Sequence, residues 1–121
     1  MKNETVITKG SFECPEILIE QNSCLSIHGN STSTKPESSY NQLIEWIDEF
    51  EGDMLKIDID LDHVNCRSIR LLSQAIFKAD SKHNIKDKSI EWHFKDKEQK
   101  ELGEMMSSLM EHTEFFLKFK E

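Results

Sequence analysis

The stretch from residue 55 to residue 79 changes its hydrophobic period part-way along. Its first eight residues, LKIDIDLD, alternate between apolar and polar, which predicts a strand with one buried face. From Ile69 onward the apolar residues recur at helical spacing, and Asn65, a residue type that favours helix N-caps, lies in between. The sequence therefore predicts a strand, Leu55–Leu61, that leads directly into a helix. In α/β sheets, ligands and modifications are commonly handled at such junctions.

The other segments alternate between the same two periods. In chain order they predict a hairpin over 17–27, a helix over 36–50, the strand and helix described above, a strand over 90–94, a helix over 96–110 and a closing strand over 115–119. The order β-β-α-β-α-β-α-β predicts an α/β fold with a single sheet of about five strands, centred on Leu55–Leu61, and helices packed against it.

The N-terminal segment carries the weakest pattern. Residues 1–15 are polar and predict either a short strand or a poorly ordered segment. No internal repeat or linker rich in Gly or Pro divides the chain, and 121 residues suffice for one core. We therefore expect one domain over residues 1–121.

The helix predicted over 96–110 carries a stripe rich in methionine. Asp96, with Gln99 three residues later, predicts a capping box at its start. Methionine-rich stripes form adaptable binding grooves in some proteins, but at helical spacing they more often pack in the core. We expect the second role for the whole stripe, which comprises Leu102, Met105, Met106, Leu109 and Met110.

Charge and cysteine content narrow the classes of function. The 15 basic and 23 acidic residues give a net charge of −8, which argues against nucleic acid and anionic membranes as partners. No apolar run approaches the ~20 residues that span a bilayer, and the N-terminus lacks a signal-peptide core. We expect a cytoplasmic protein without membrane insertion. Its three cysteines, Cys14, Cys24 and Cys66, have no CxxC spacing and are expected to be reduced thiols.

Catalytic and metal-binding patterns are weak. Asp58, Asp60 and Asp62 have the spacing that opens a calcium loop, but the required glycine and terminal glutamate are missing. The solvated face of a strand explains these residues better. His63 and Cys66 flank one turn, yet no third group that would orient a base can be identified. The histidines show no zinc spacing and the four glycines stand alone, so we expect no cofactor, no metal and no enzyme.

Several short segments match a known family in their order and spacing. They are Gly29-Asn30-Ser31, Pro36-Glu37 with Tyr40, Ile44-Glu45-Trp46, Asn65-Cys66-Arg67-Ser68, and Ile90-Glu91-Trp92-His93-Phe94-Lys95-Asp96 with Glu101 and Gly103. Together they resemble the SiaC family of bacterial regulatory phosphoproteins, which are similar in fold to anti-sigma-factor antagonists of the STAS type.

The resemblance implies a partner-switching function in signal transduction. In that family the junction reads Asn-Thr-Ser-Ser; a SiaB-type kinase phosphorylates the threonine and a PP2C-type phosphatase removes the phosphate. The unmodified form engages an effector such as a diguanylate cyclase that controls biofilm formation. In this chain Cys66 occupies the phosphoacceptor position. The candidate partner-contact residues are Asn65, Arg67, Asp62 and His63.

Ser68 is an alternative phosphoacceptor, but helical geometry disfavours it. At ~100° per residue, Ser68 falls on the side of Leu72 and Ala75, which packs on the sheet, whereas Cys66 points about 160° away. We expect the Ser68 hydroxyl to face inward and to form a first-turn hydrogen bond with the backbone.

The thiol of Cys66 supports two further interpretations. A helix N-terminus and the neighbouring Arg67 favour a reactive thiolate, which would make the chain a redox-responsive interaction protein. A small enzyme with Cys66 as nucleophile is the weakest interpretation, because no supporting constellation is found. The sequence leaves the partner, the output pathway and the oligomeric state open.

Overall fold

The strands lie side by side in the sheet in the same order as in the sequence. The computed structural model describes residues 4–120, and within them one mixed sheet runs in the order β1-β2-β3-β4-β5-β6, accompanied by three helices. The elements are β1 (Glu4–Thr8), β2 (Glu16–Glu20), β3 (Cys24–Ser31), α1 (Glu37–Glu49), β4 (Met54–Val64), α2 (Cys66–Ser81), β5 (Asp87–Phe94), α3 (Lys97–Ser108) and β6 (Glu114–Phe119).

The α/β fold and the element order predicted from the pattern are confirmed, with one strand more than the expected five. The additional strand, β1, lies in the N-terminal segment for which a short strand was one of two predictions. Residues 1–3 of that segment lie outside the described residues. β4 lies in the interior of the sheet, between β3 and β5, as expected.

The topology places all three helices on one face of the sheet. β1, β2 and β3 pair antiparallel, while β3 to β6 pair parallel in sequence. Each crossover therefore steps in the same direction, and crossovers of the usual right hand put their helices on the same side. The other face of the sheet remains uncovered by helices.

The alternation in β4 corresponds to these two faces. Leu55 and Leu61 are buried against the helices, whereas Lys56 and Asp58 point to the uncovered face. The apolar stripes of α1 and α2 complete the same core, through Tyr40, Leu43, Ile47, Leu72, Ala75, Ile76 and Ala79.

The face of the sheet without helices carries charged residues that form cross-strand pairs. His93 Nε2 lies 2.8 Å from Asp58 Oδ1, and Lys120 binds Asp60. The aspartates at 58 and 60 thus belong to the solvated face of a strand, as their spacing with apolar neighbours predicted. Among residues 4–120, no three His, Cys, Asp or Glu side chains are grouped so that they could hold a metal ion.

The prediction that the whole stripe of α3 packs in the core is wrong for two of its residues. Met106 is buried, but Met105 and Leu109 are 48% and 52% exposed. α3 approaches the sheet closely through Gly103, whose position faces Trp92 on β5 and Leu117 on β6. This contact covers a narrow strip of the helix, so residues beside the strip stay in solvent.

Two lysines, Lys82 at the end of α2 and Lys88 at the start of β5, hold the C-terminal ends of α1 and α2. The Lys82 ammonium donates hydrogen bonds to the carbonyls of Ile47, Asp48 and Phe50. The Lys88 ammonium donates to the carbonyls of Ala79, Asp80 and Lys82. A cation at a helix C-terminus satisfies free carbonyls and complements the helix dipole.

Candidate functional site at the start of the second helix

Asn65 is the single residue that separates β4 from α2. Its side-chain Oδ1 accepts a hydrogen bond from the Ser68 backbone N–H at 2.8 Å, so the predicted N-cap is confirmed. Its Nδ2 donates to the Ser33 carbonyl at 2.9 Å, and its own N–H donates to the Ser31 carbonyl at 3.0 Å. Asn65 therefore fixes the start of α2 to the loop that follows β3.

A buried pair of hydroxyls supports this junction from the core. The Ser31 hydroxyl and the Tyr40 hydroxyl lie 2.8 Å apart, both out of contact with solvent. Burial raises the pKa of Tyr40 to about 12, so the phenol stays neutral and keeps a proton to share with Ser31. α1, β3 and the start of α2 are thereby held together at the carboxyl edge of the parallel strands.

Cys66 is the first residue of α2 and is exposed. It lies between two depressions, one of about 470 Å³ on the side of α3 and one of about 560 Å³ on the side of α1. The first is lined by Asp62, His63, Val64, Asn65, Cys66, Ile69, Asp96, Glu98, Gln99 and Leu102. The second is lined by Glu37, Cys66, Arg67, Arg70 and Leu71.

Ser68 faces the interior, as helical geometry predicted. Its side chain is fully buried, so the hydroxyl is out of reach of solvent. The expected hydrogen bond from this hydroxyl to the backbone is not formed: Ser68 Oγ has no hydrogen-bond partner among the described residues. That detail of the prediction is wrong, because it is the backbone N–H of Ser68, not the hydroxyl, that bonds to the N-cap.

Arg67 engages α1. Its Nη2 lies 2.6 Å from Glu37 Oε2, and its Nε donates to the same oxygen at 2.8 Å. A hydrogen bond from the backbone of Glu37 and then the bond from Arg67 hold the pKa of this carboxyl below its usual value. The pair is exposed, so it contributes little to stability, but it directs the guanidinium toward the first turn of α1.

Gln99 lines the depression on the side of α3, which forms a cleft between α2 and α3. Its Nε2 donates to the carbonyls of Leu61 and Asp62, each at 3.1 Å, and its Oε1 accepts from the Lys95 N–H at 2.8 Å. Asp96 Oδ1 accepts from the Gln99 N–H at 2.9 Å, as a capping box requires. The return bond goes to Lys95 instead of Asp96, and the link to β4 was not foreseen from the sequence.

The site therefore brings together four of the predicted contact residues. Asp62, His63 and Asn65 line the cleft between α2 and α3, and Arg67 lines the depression toward α1. His63 and Cys66 border the same cleft, yet no hydrogen bond between them is found within residues 4–120. The geometry therefore places an exposed thiol, Cys66, between the two depressions at the start of α2.

Comparisons with known proteins identify the family. The family described as SiaC family regulatory phosphoprotein matches residues 8–120. The chain belongs to this family. The resemblance noted from its motifs is thus confirmed, and the family consists of regulatory phosphoproteins.

Solved structures of the family share this fold. SiaC of Pseudomonas aeruginosa is similar with a TM-score of 0.78 and 22% identity, covering 98% of this chain and 99% of that one. SiaC in the complex of the diguanylate cyclase SiaD with its activator SiaC, from the same organism, is similar with a TM-score of 0.78 and 22% identity, over 92% and 96% of the two chains. No curated protein matches the chain at a significant level. Within residues 4–120, none of the helices has the length and apolar character needed to cross a membrane.

Proposed function

We propose that this protein is a non-catalytic regulator that switches between partners, with residues 62–68 as its contact surface. The family supports the regulatory role, and SiaC of Pseudomonas aeruginosa is the activator of the diguanylate cyclase SiaD. The downstream partner proposed for this chain is accordingly an effector such as a diguanylate cyclase, with biofilm control as the output. The observation that carries the proposal is the exposed first residue of α2, held between two depressions at the edge of the sheet.

We further propose that Cys66 stands at the phosphoacceptor position of the family. A side chain at the start of α2 lies beside the free N–H groups of the first turn, which stabilise a phosphate. The N–H of Ser68 is already bound by Asn65, so the N–H groups of Cys66 and Arg67 are the ones that would receive it. A phosphate there would add a charge of about −1.5 to −2 and change which partner surface fits.

The proposed upstream partners are a SiaB-type Ser/Thr kinase and a PP2C-type phosphatase. A thiol is not an ordinary substrate of such a kinase, and the nearby hydroxyl of Ser68 is buried. We therefore propose that the unmodified chain takes little or no phosphate and stays in the form that binds its effector.

The experiment that tests this proposal measures intact mass after incubation with ATP and a SiaB-type kinase that is active on its own substrate. We expect no added phosphate on the wild type and one on Cys66→Thr. Cys66→Ala should take none, and Cys66→Thr combined with Ser68→Ala should still take one. Phosphorylation of the wild type at Ser68, or a folded Cys66→Thr that takes no phosphate, would contradict the proposal.

The second candidate function is a redox-responsive interaction protein. It is supported by the exposure of Cys66 at the start of a helix, whereas Cys14 and Cys24 are half-buried. Mild hydrogen peroxide should then oxidise the Cys66 thiol to a sulfenic acid, with the peroxide reduced to water, and change binding to the effector. Unchanged binding after complete oxidation of Cys66 would eliminate this candidate.

A further inference from the structure

The closing strand, β6, forms one edge of the sheet. Within residues 4–120 it pairs with β5 on one side and with no strand on the other. Glu114, Phe116 and Lys118 alternate on the face that carries no helices, and Phe116 is 44% exposed although it is aromatic. An unpaired strand with exposed aromatic residues is a template for pairing with another chain.

The hydrogen bonds to β5 show which backbone groups of β6 are free. The Lys120 N–H donates to the Phe94 carbonyl at 2.9 Å, and Phe94 is opposite Phe119 in the parallel register. Residues that alternate along a strand direct their N–H and C=O groups to opposite sides. The even-numbered residues therefore bond to β5, and Phe115 and Leu117 direct theirs outward.

We propose that a second copy of this chain pairs antiparallel with β6, with Phe116 opposite Phe116 of the other copy. In this register Glu114 lies opposite Lys118 at both ends, and Phe115 lies opposite Leu117. The two Phe115–Leu117 pairs are the ones whose backbone groups point outward, so they form four hydrogen bonds between the copies. Opposite charges and aromatic residues at directly opposite positions each stabilise an antiparallel pair.

The charges of β6 favour a second copy of this chain as the strand that pairs with it, because Glu114 and Lys118 are opposite each other only when Phe116 faces Phe116. A shift of two residues in one direction keeps the faces matched but places Phe116 opposite Lys118, and the opposite shift places Glu114 opposite Phe116. The other edge of the sheet, β1, is less suitable, because its register with β2 is interrupted between Val6 and Thr8. Lys118, which would otherwise discourage pairing, already lies 3.6 Å from Glu91 and gains a second carboxylate from the other copy.

The resulting dimer has a continuous sheet and does not use Cys66. Its two-fold axis is perpendicular to the sheet, so the helices of both copies lie on the same face and the two sites for partners remain separate. This inference goes beyond the proposed switch, and its failure would leave that proposal untouched.

The test measures molar mass by sedimentation equilibrium over a concentration series that spans the micromolar range. The wild type should reach the mass of two chains. Glu114→Lys alone and Lys118→Glu alone each place like charges opposite one another twice, and should weaken dimerisation about tenfold. The double variant restores both pairs and should dimerise like the wild type. Mixing the two single variants should give heterodimers, in which every pair is again of opposite charge.

Val6→Glu, on the opposite edge, is the matched control and should dimerise like the wild type. Far-UV circular dichroism and thermal midpoints confirm that each variant is folded. A wild type that stays monomeric throughout the series would overturn the proposal. Single variants that dimerise as well as the wild type, or mixed variants that do not associate, would overturn it as well.

Discussion

Cys66 and Ser68 lie two residues apart on α2 and face opposite sides of it. The thiol of Cys66 is exposed at the carboxyl edge of the sheet, whereas the hydroxyl of Ser68 is fully buried beneath the helix. Two residues correspond to about 200° around a helix, which accounts for the separation. Of the two, only the first position can be reached by another protein without unfolding the turn.

The first prediction follows from this accessibility. Cys66 should react with a neutral alkylating reagent at pH 7 faster than Cys14 and Cys24, which are half-buried. Peptide mapping at short reaction times ranks the three thiols. If Cys66 reacts last, or reacts only after denaturant is added, the redox candidate is eliminated, and so is the proposal that Cys66 occupies an accessible phosphoacceptor position.

The second prediction tests the register of β4. Leu61→Ala should lower the free energy of unfolding by about 2–5 kcal/mol, because Leu61 is 5% exposed and lies in the core. Met54→Ala, at the exposed beginning of the same strand, is the control and should change it far less. Chemical denaturation measures both. Equal midpoints for Leu61→Ala and the wild type would show that the register is wrong.

The third prediction concerns the carboxylate of Asp80, which accepts hydrogen bonds from the N–H groups of Glu111 and His112 and from the Thr113 hydroxyl. Burial raises its pKa, but these donors and the nearby Lys88 outweigh burial, so the pKa of Asp80 lies below the ordinary value of an aspartate. A lowered pKa means that the folded state favours the ionised form. The stabilisation is therefore complete above the unfolded-state pKa and is lost as the pH falls through the folded-state pKa.

Asp80→Asn should accordingly cost about 1.5–3 kcal/mol at pH 7, as expected for lost hydrogen bonds to a charged group. The difference from the wild type should shrink as the pH falls below about 4. Denaturation curves recorded from pH 7 to pH 3 measure it. Asp87→Asn, at an exposed position, is the control. A difference that stays constant with pH would show that Asp80 does not stabilise the fold as a carboxylate.

The fourth prediction tests the close contact between α3 and the sheet. A Cβ added at Gly103 would lie 2.5 Å from Trp92 Cδ1 and 2.7 Å from Leu117 Cδ2. Gly103→Ala should therefore destabilise the protein by about 1–3 kcal/mol through overpacking, even though alanine favours helices by ~1 kcal/mol. Tryptophan fluorescence during thermal unfolding reports the change. Glu104→Ala, on the exposed side of α3, should leave the midpoint almost unchanged.

The parts of the fold that were predicted from sequence are those where local pattern and tertiary environment agree. The one-by-one alternation of β4 matches a sheet with one buried face, and Asn65 caps α2 through its own side chain. For the segment that forms β1, the sequence predicted either a short strand or a poorly ordered segment. β1 is an edge strand with little buried surface, and its central apolar residue, Val6, is 54% exposed, so its sequence carries only a weak alternation.

The features that the sequence did not predict are those in which burial or bonding depends on a residue far away in the chain. Met105 and Leu109 share the apolar side of α3 with Met106, but the periodicity does not show how much of that side the sheet covers. The bond from Gln99 to the end of β4 joins residues almost forty positions apart. Of the site, the exposed and buried positions on α2 were predictable from helical rotation, whereas the Arg67–Glu37 pair depends on the packing of α1.

The connection from Lys82 to Lys88 has a mechanical consequence. One lysine holds the C-terminal end of α1 and the other holds that of α2, so a single segment anchors both helices at the edge of the sheet opposite Cys66. At the opposite end, Asn65 ties the start of α2 to the carbonyls of Ser31 and Ser33, and Arg67 pairs with Glu37 in the first turn of α1. The two helices are thus anchored at both of their ends, so Cys66 is presented on an ordered turn and a contact there would cost little further conformational entropy.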